Sequence, residues 1–216
     1  MKLRLSQKHN AAMTMFEVGL VVAVVLTLAV IFLSRTARSY SPEAVCIKNL
    51  NQAGLAFKIW AGDNNDVYPM GVSVTNGGSM EMVTTGNVLA TFLVMSDELG
   101  SSRVLFCPAD MGRAAANNFL AGVTSSNLSY FVNAAMTNED NPQTIVTGDS
   151  DWMLGGKNLK PGLASLWTND PVAWGNRHPQ SEHISLADGS VKTMTSANLR
   201  NQIKQSGLAT NRFALP

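Results

Sequence analysis

The sixteen residues from Val18 to Leu33 read VGLVVAVVLTLAVIFL, and they decide how the chain is organised. They carry no charge, and Thr27 is the one clearly polar side chain among them. As a helix they would rise about 24 Å, against roughly 30 Å for the hydrocarbon core of a bilayer. A further turn from Met13 to Glu17 would bring the length close to a span. A buried core helix is the alternative, but it would normally show polar positions on its outer side. The run therefore predicts a transmembrane helix.

The residues on either side of this run predict its orientation. Residues 1–12 read MKLRLSQKHNAA, with three basic residues and no acidic one. Because basic residues favour the cytoplasmic side, we expect a cytoplasmic N-terminus and an extracytoplasmic C-terminal domain. A cleaved secretory signal is the competing interpretation. The apolar run is longer than the usual ~7–15 residues, however, and the following SRTARSYS contains no A-x-A cleavage site.

The composition bounds the remaining possibilities. The 216 residues suit one globular domain with an appendage. Only 14% of them are charged and the net charge is +1, which argues against disorder and against a nucleic-acid partner bound by massed basic residues. The two cysteines, Cys46 and Cys107, permit one disulfide at most and exclude a four-cysteine zinc site. Two buried thiols are the alternative to that disulfide.

Glu17 is the unusual residue of the apolar segment. A carboxylate inside a membrane helix is costly unless it has a partner, so its presence suggests a function. The alternative is that Glu17 lies at the headgroup boundary and reaches water. Cleavage after Ala12 would create an α-amino group on Met13, four residues upstream. In a helical filament, the amine of one subunit could then meet the Glu17 carboxylate of its neighbour.

The N-terminal pattern resembles the class III signal of type IV prepilins and type II secretion pseudopilins. That signal consists of a short basic leader, a small residue, four further residues, a glutamate and an apolar helix. The resemblance implies cleavage between Ala12 and Met13 by a prepilin peptidase, N-methylation of Met13, and a role for Glu17 in assembly. The family prefers glycine before the cleaved bond, where this chain has alanine.

A second resemblance lies near the C-terminus and is independent of the first. In WGNRHPQSEHISLADGSVK, nine residues separate His178 from Asp188-Gly189. This is similar to the H-x9-DG signature of a prepilin-like group of bacterial pseudopilins. The stretches CIKNLNQAGLAF and VLFCPAD agree with the same group, and the resemblance covers about half of the chain.

Together the two resemblances imply a structural, non-enzymatic subunit of a type II secretion or type IV pilus-like filament. They imply a single-pass protein of the bacterial inner membrane, with a periplasmic or extracytoplasmic C-terminal domain. The expected partners are a prepilin peptidase, other pilin or pseudopilin subunits and an inner-membrane assembly platform, with no nucleic acid. The implied organisation is a leader over 1–12, a transmembrane and assembly helix over 13–40, and a pilin-like domain over 41–216.

The residues themselves predict an α+β fold for the exported domain, with a helix laid across a small antiparallel sheet. Ser41-Pro42-Glu43 is typical of a helix start. Apolar residues then recur at spacings of three and four, which places them on one helix face. This stripe consists of Cys46, Leu50, Ala53, Phe57 and Trp60.

Turn residues and alternating runs predict the rest of the domain. Asp188-Gly189 lies between alternating runs in HISLADGSVKTM and predicts a β-hairpin. Thr195-Ser196 predicts a helix over 197–206 that ends at Gly207, followed by a loosely held tail, GLATNRFALP. The runs SRVLFCP, NLSYFVNAAM and QTIVTGD are candidate strands, and GNVLATFLVM is either a strand or a helix.

Two further kinds of site are alternatives to a purely structural role. His178, His183 and Asp188 could hold a metal, or could serve a membrane-anchored enzyme or binding module. If Asp188 is a turn residue, however, it need not face either histidine. Asp149 and Asp151, with Glu139 and Asp140, could bind calcium, although the spacing does not fit an EF-hand. No other cofactor is expected.

Overall fold

The chain divides into two compact units, Met1–Tyr40 and Ser41–Pro216. The computed structural model describes residues 14–36, 41–120, 122–138, 141–178, 181–208 and 210–216, and within the first of these ranges the side chains of residues 14–31. Ala12 and Met13, which form the predicted cleavage site, lie outside the described residues.

The first unit contains helix α1 (Met15–Thr36). Among the described residues, no helix is both long enough and apolar enough to cross a membrane. This finding contradicts the predicted transmembrane helix and, with it, the predicted single-pass location in the inner membrane. The uncharged run rises about 24 Å, less than the bilayer core. The turns that would complete a span contain Glu17 at one end and Arg35 at the other.

The second unit begins with helix α2 (Pro42–Asp63), as the sequence predicts. The Ser41 hydroxyl accepts a hydrogen bond from the backbone N–H of Ala44 at 3.2 Å and so caps the helix. The predicted apolar stripe from Cys46 to Trp60 is buried along its whole length. This confirms that α2 lies with that face against the rest of the unit.

The unit is α+β, with two antiparallel sheets after the helix. The strands are β1 (Tyr130–Asn133), β2 (Ile145–Asp149), β3 (Trp152–Leu154), β4 (Lys157–Asn158), β5 (Gly162–Trp167), β6 (Val172–Trp174), β7 (Glu182–Leu186), β8 (Val191–Met194) and β9 (Thr210–Leu215). The larger sheet has the strand order β5-β9-β1-β2-β7-β8 and the smaller has β4-β3-β6, and every pairing between these strands is antiparallel.

Shorter helices connect these elements. They are α3 (Met80–Val83), α4 (Val88–Val94), α5 (Ser96–Leu99) and α6 (Ser196–Gln205), with 3₁₀ turns at Pro69–Gly71, Val74–Asn76, Ser102–Leu105 and Ser125–Asn127. The run GNVLATFLVM thus forms a helix. VLFCP, a candidate strand, instead lies in and after a 3₁₀ turn.

Both faces of the larger sheet are covered. On one face Tyr130 joins a core with Leu50 and Phe57 of α2. On the other face Phe131 joins a core with Trp152 of the smaller sheet and Leu199 of α6. Because β1 is buried on both sides, Tyr130, Phe131 and Val132 are apolar in succession rather than in alternation with polar residues.

The prediction of a loosely held C-terminal tail is wrong. Residues 207–216 were expected to be loosely held, but β9 lies between β5 and β1 inside the larger sheet. Phe213, Ala214 and Leu215 are buried there. The reason is that β9 pairs with strands far away in the sequence, with Gly162 opposite Leu215 and Val132 opposite Ala214. Such long-range pairing leaves no local turn signal.

The hairpin predicted around Asp188-Gly189 is confirmed, because β7 pairs with β8 and Ser185 lies opposite Val191. Gly189 adopts a φ of 84° in the turn, a conformation that costs other residues energy.

We expect Gly189→Ala to lower the free energy of unfolding by about 1–2 kcal/mol, because alanine disfavours a positive φ. Gly62→Ala is the matched control. Gly62 lies in α2 with open space around it, so alanine there should stabilise the protein by up to about 1 kcal/mol. Urea denaturation of both variants measures the two changes. Equal effects on stability would show that the turn conformation is not the cause.

Candidate functional site

Glu17 lies in the first turn of α1 and is paired with Thr14. Its Oε2 accepts hydrogen bonds from the Thr14 backbone N–H at 2.8 Å and from the Thr14 hydroxyl at 3.1 Å. In return, the Glu17 N–H donates to Thr14 Oγ1 at 3.3 Å. These contacts, the backbone bond first, lower the pKa of Glu17 and keep it ionised. Threonine followed three residues later by glutamate is a capping-box signature. The spacing of Thr14 and Glu17 is thus a local sequence signal for this cap.

Among its described side chains from Met15 to Ile31, the surface of α1 is apolar on all sides apart from Glu17 and Thr27, whose hydroxyl donates to the Val24 carbonyl at 2.8 Å. The large side chains from Met15 to Ile31 are each at least 47% exposed. They are Met15, Phe16, Val18, Leu20, Val21, Val22, Val24, Val25, Leu26, Leu28, Val30 and Ile31. A soluble surface helix normally has one polar face, and this helix lacks one over that range.

His178 of the H-x9-DG motif is buried in the second unit. Its Nε2 lies 3.4 Å from Cys107 Sγ, 3.8 Å from Asp149 Oδ2 and 3.9 Å from Glu182 Oε2. Its backbone N–H donates to Glu182 Oε1 at 3.0 Å. These contacts tie His178, which follows β6, to Glu182 of β7 and to Cys107.

The Asp188-Gly189 end of the motif has a different role. Asp188 Oδ1 accepts hydrogen bonds from the Ser190 hydroxyl at 2.6 Å and the Ser190 N–H at 2.8 Å. The hydroxyl contact is the main cause of the lowered pKa of Asp188. Asp188 therefore stabilises the hairpin turn. Among the described residues it belongs to no group of potential metal ligands, so the predicted trio with His178 and His183 is not assembled.

The two histidines do come together, and Asp149 takes the place predicted for Asp188. The rings of His178 and His183 lie 4.8 Å apart between centroids. The His183 backbone N–H donates to Asp149 Oδ2 at 2.8 Å, and the His183 ring Nδ1 is 3.0 Å from Thr193 Oγ1. Burial is the main cause of the lowered pKa of His183. No local sequence pattern indicates that Asp149 lies beside His183, because its position depends on the pairing of β2 with β7.

Glu182 adds a second buried carboxyl group to this cluster. Burial, together with the nearby charge of Asp149, raises the pKa of Glu182 to about 9. Its side chain therefore binds a proton at neutral pH. Because protonated Glu182 is neutral, the cluster carries less negative charge than two ionised carboxylates would give it.

Asp149 and Asp151, the predicted calcium ligands, both contact Arg177. Asp149 Oδ1 lies 3.4 Å from Arg177 Nη1, and Asp151 Oδ2 accepts the Arg177 backbone N–H at 3.1 Å. Arg177 Nη2 also lies 3.0 Å from Asp110 Oδ2. The other candidates, Glu139 and Asp140, lie outside the described residues.

Cys46 of α2 and Cys107 form a disulfide with an S–S distance of 2.02 Å. Three sequence motifs contact one another around this disulfide: CIKNLNQAGLAF, VLFCPAD and the H-x9-DG region. Asn49 Nδ2 donates to the Phe106 carbonyl at 2.8 Å, which joins CIKNLNQAGLAF to VLFCPAD. The contact of His178 with Cys107 and that of Arg177 with Asp110 join both to the H-x9-DG region. The motifs are thus joined by a disulfide, hydrogen bonds and an ion pair between buried or partly buried groups.

An open cavity of about 660 Å³ lies beside this region. Its lining includes four charged side chains, those of Asp110, Arg113, Asp151 and Arg177. These side chains already contact one another, since Arg113 Nε lies 3.3 Å from Asp110 Oδ2.

Comparisons of the chain with protein-family models, with curated proteins and with solved structures gave no significant match. The class that the fold defines is α+β, with an N-terminal helix, two antiparallel sheets and one disulfide among the described residues.

Proposed function

We propose that this chain is a structural subunit of a pilus-like filament, of the type II secretion or type IV pilus kind. The observation that carries the proposal is the apolar surface of α1 over Met15–Ile31. The second unit buries its apolar side chains in two cores of its own, and Ser41 caps its first helix. The apolar helix is thus the part of the chain that needs a partner of similar chemistry.

Copies of the same helix are such a partner. Burying apolar surface is favourable by about 25 cal/mol per Å², and large exposed apolar patches mark interaction sites. A helix that is apolar on all sides can contact several neighbours at once, as a helix in the centre of a filament must. A helix with a single apolar face would satisfy that face with one partner.

Glu17 supplies a specific contact in this arrangement. It is a fully exposed and ionised carboxylate at the first turn of α1. Both of its hydrogen bonds to Thr14 involve Oε2. A positive group on a neighbouring subunit could therefore approach the carboxylate without breaking the cap. Cleavage after Ala12 by a prepilin peptidase would provide that group as the N-terminal amine of Met13.

The second unit supports a structural role rather than an enzymatic one. Asp188 stabilises a hairpin turn, and His178 anchors a segment beside the disulfide. An enzyme that used His178, His183 and Asp188 would need these three groups to converge on a substrate. We therefore propose that the H-x9-DG motif serves folding.

Mass measurement of the intact chain and of its N-terminal peptide, isolated from cells that express it, tests the proposal. We expect a chain that begins at Met13 and carries one N-terminal methyl group. Ala12→Leu, which replaces the small residue before the cleaved bond, should accumulate the uncleaved form. Recovery of uncleaved chain beginning at Met1 from the unaltered sequence would contradict the proposal.

A further inference from the structure

We propose that Asp149, His178 and His183 form a binding site for a divalent transition-metal ion, with zinc as the best match. One potential ligand atom from each residue lies within 4.8 Å of the other two. All three side chains are at least 98% buried. The site lies within the second unit and is independent of filament assembly.

The chemical types of the three ligand side chains indicate which metal ion the site would bind. Two imidazoles and one carboxylate suit zinc, whereas calcium and magnesium prefer sites made of oxygen atoms alone. A zinc site with three protein ligands keeps a fourth position for water or another group. The cluster offers such a set without using the disulfide sulfurs.

His183 provides the clearest sign of a missing partner. Its Nδ1 lies 3.0 Å from the Thr193 hydroxyl, while its buried Nε2 has no hydrogen-bond partner among the described residues. Buried polar atoms are nearly always paired, so an unpaired one calls for an explanation. Histidine ligands commonly bind the metal through one nitrogen and hydrogen-bond through the other. The contact with Thr193 thus leaves Nε2 as the ligand atom.

Asp149 and His178 are held in positions that suit the same ion. The His183 N–H and Arg177 hold the Asp149 carboxylate from two sides, at 2.8 Å and 3.4 Å. Asp149 Oδ2 lies 3.8 Å from His178 Nε2. Tetrahedral zinc, with bonds of about 2.0–2.1 Å, needs ligand atoms about 3.3 Å apart. A closure of about 0.5 Å therefore brings this pair to the required separation.

Glu43 gives the ion a route into the site. It lies in the first turn of α2, and its side chain is 47% exposed. Its Oε1 is 3.7 Å from His183 Nε2. A carboxylate that reaches both solvent and the unpaired nitrogen can bind an incoming cation and can fill the fourth position.

Calorimetric titration of the metal-stripped full-length chain with Zn²⁺, together with native mass spectrometry, tests the site. We expect one Zn²⁺ per chain and at least tenfold weaker binding by His183→Ala. His9→Ala, which removes the remaining histidine of the sequence, and Asp188→Asn are the matched controls and should bind as the unaltered chain does. Absence of binding, or equal binding by His183→Ala, would overturn the proposal, as would loss of binding in either control.

A second variant separates binding from folding. Thr193→Val removes the hydroxyl that orients His183 but leaves all proposed ligands in place. We expect about 10–100-fold weaker Zn²⁺ binding, with an unchanged circular dichroism spectrum in metal-free buffer. If His183→Ala fails to fold, this variant decides the question. Unchanged affinity in Thr193→Val, or binding of Ca²⁺ as tight as that of Zn²⁺, would reject the site.

Discussion

Glu17→Ala is expected to raise the subunit concentration needed for filament formation by on the order of 100-fold. Removing one member of a desolvated ion pair costs about 3 kcal/mol, because the other charge is left without a partner. In the proposed filament that charge is the Met13 amine of the neighbouring subunit. Sedimentation and electron microscopy of cleaved subunits measure the change.

Thr14→Ala is the control for this experiment, because Thr14 is the partner of Glu17 within its own chain. The control removes the cap and costs about 1 kcal/mol of helix stability, but it keeps the carboxylate. It should therefore form filaments at nearly the concentration of the unaltered chain. If Glu17→Ala assembles normally, the amine–carboxylate contact is excluded. If both variants fail equally, the cap rather than the charge is responsible.

Replacing both cysteines, Cys46→Ser with Cys107→Ser, is expected to destabilise the protein by about 4 kcal/mol. The disulfide joins residues 61 positions apart. A cross-link over a loop of this length removes chain entropy from the unfolded state worth about 4 kcal/mol. Domain stabilities are only about 5–15 kcal/mol, so the loss is a large part of the total.

Urea denaturation measures this effect, and two comparisons isolate its cause. The double alanine variant, Cys46→Ala with Cys107→Ala, removes the cross-link without burying hydroxyl groups. Its difference from the serine variant gives the cost of those hydroxyls. Chemical reduction of the unaltered chain should lower stability by a similar amount. A loss below about 1 kcal/mol in the alanine variant would show that the motifs hold together without the cross-link.

The sequence predicted best where the signal was local. Ser41-Pro42-Glu43 marked the start of α2, because capping involves neighbouring residues only. The spacing of the stripe in α2 predicted which face is buried. Asp188-Gly189 predicted the hairpin, since a tight turn selects its own residues.

Two predictions were wrong: one depended on the length of the apolar helix, and the other depended on strands that are distant in the sequence. The apolar run of α1 suggested a membrane span, but its uncharged part is shorter than the bilayer core. The tail was expected to be loose, yet β9 is an interior strand. Its partners, β5 and β1, are far away in the sequence, so no local pattern could indicate them.

The sequence by itself determined the local elements: the apolar helix, the capped helix α2, the hairpin turn, and two cysteines able to cross-link. Only the tertiary structure decided which polar groups meet. Asp149 lies beside His183 because β2 pairs with β7, and His178 reaches Cys107 across 71 residues. Local patterns record the preferences of neighbouring residues, whereas contacts between strands depend on pairings that no single segment encodes.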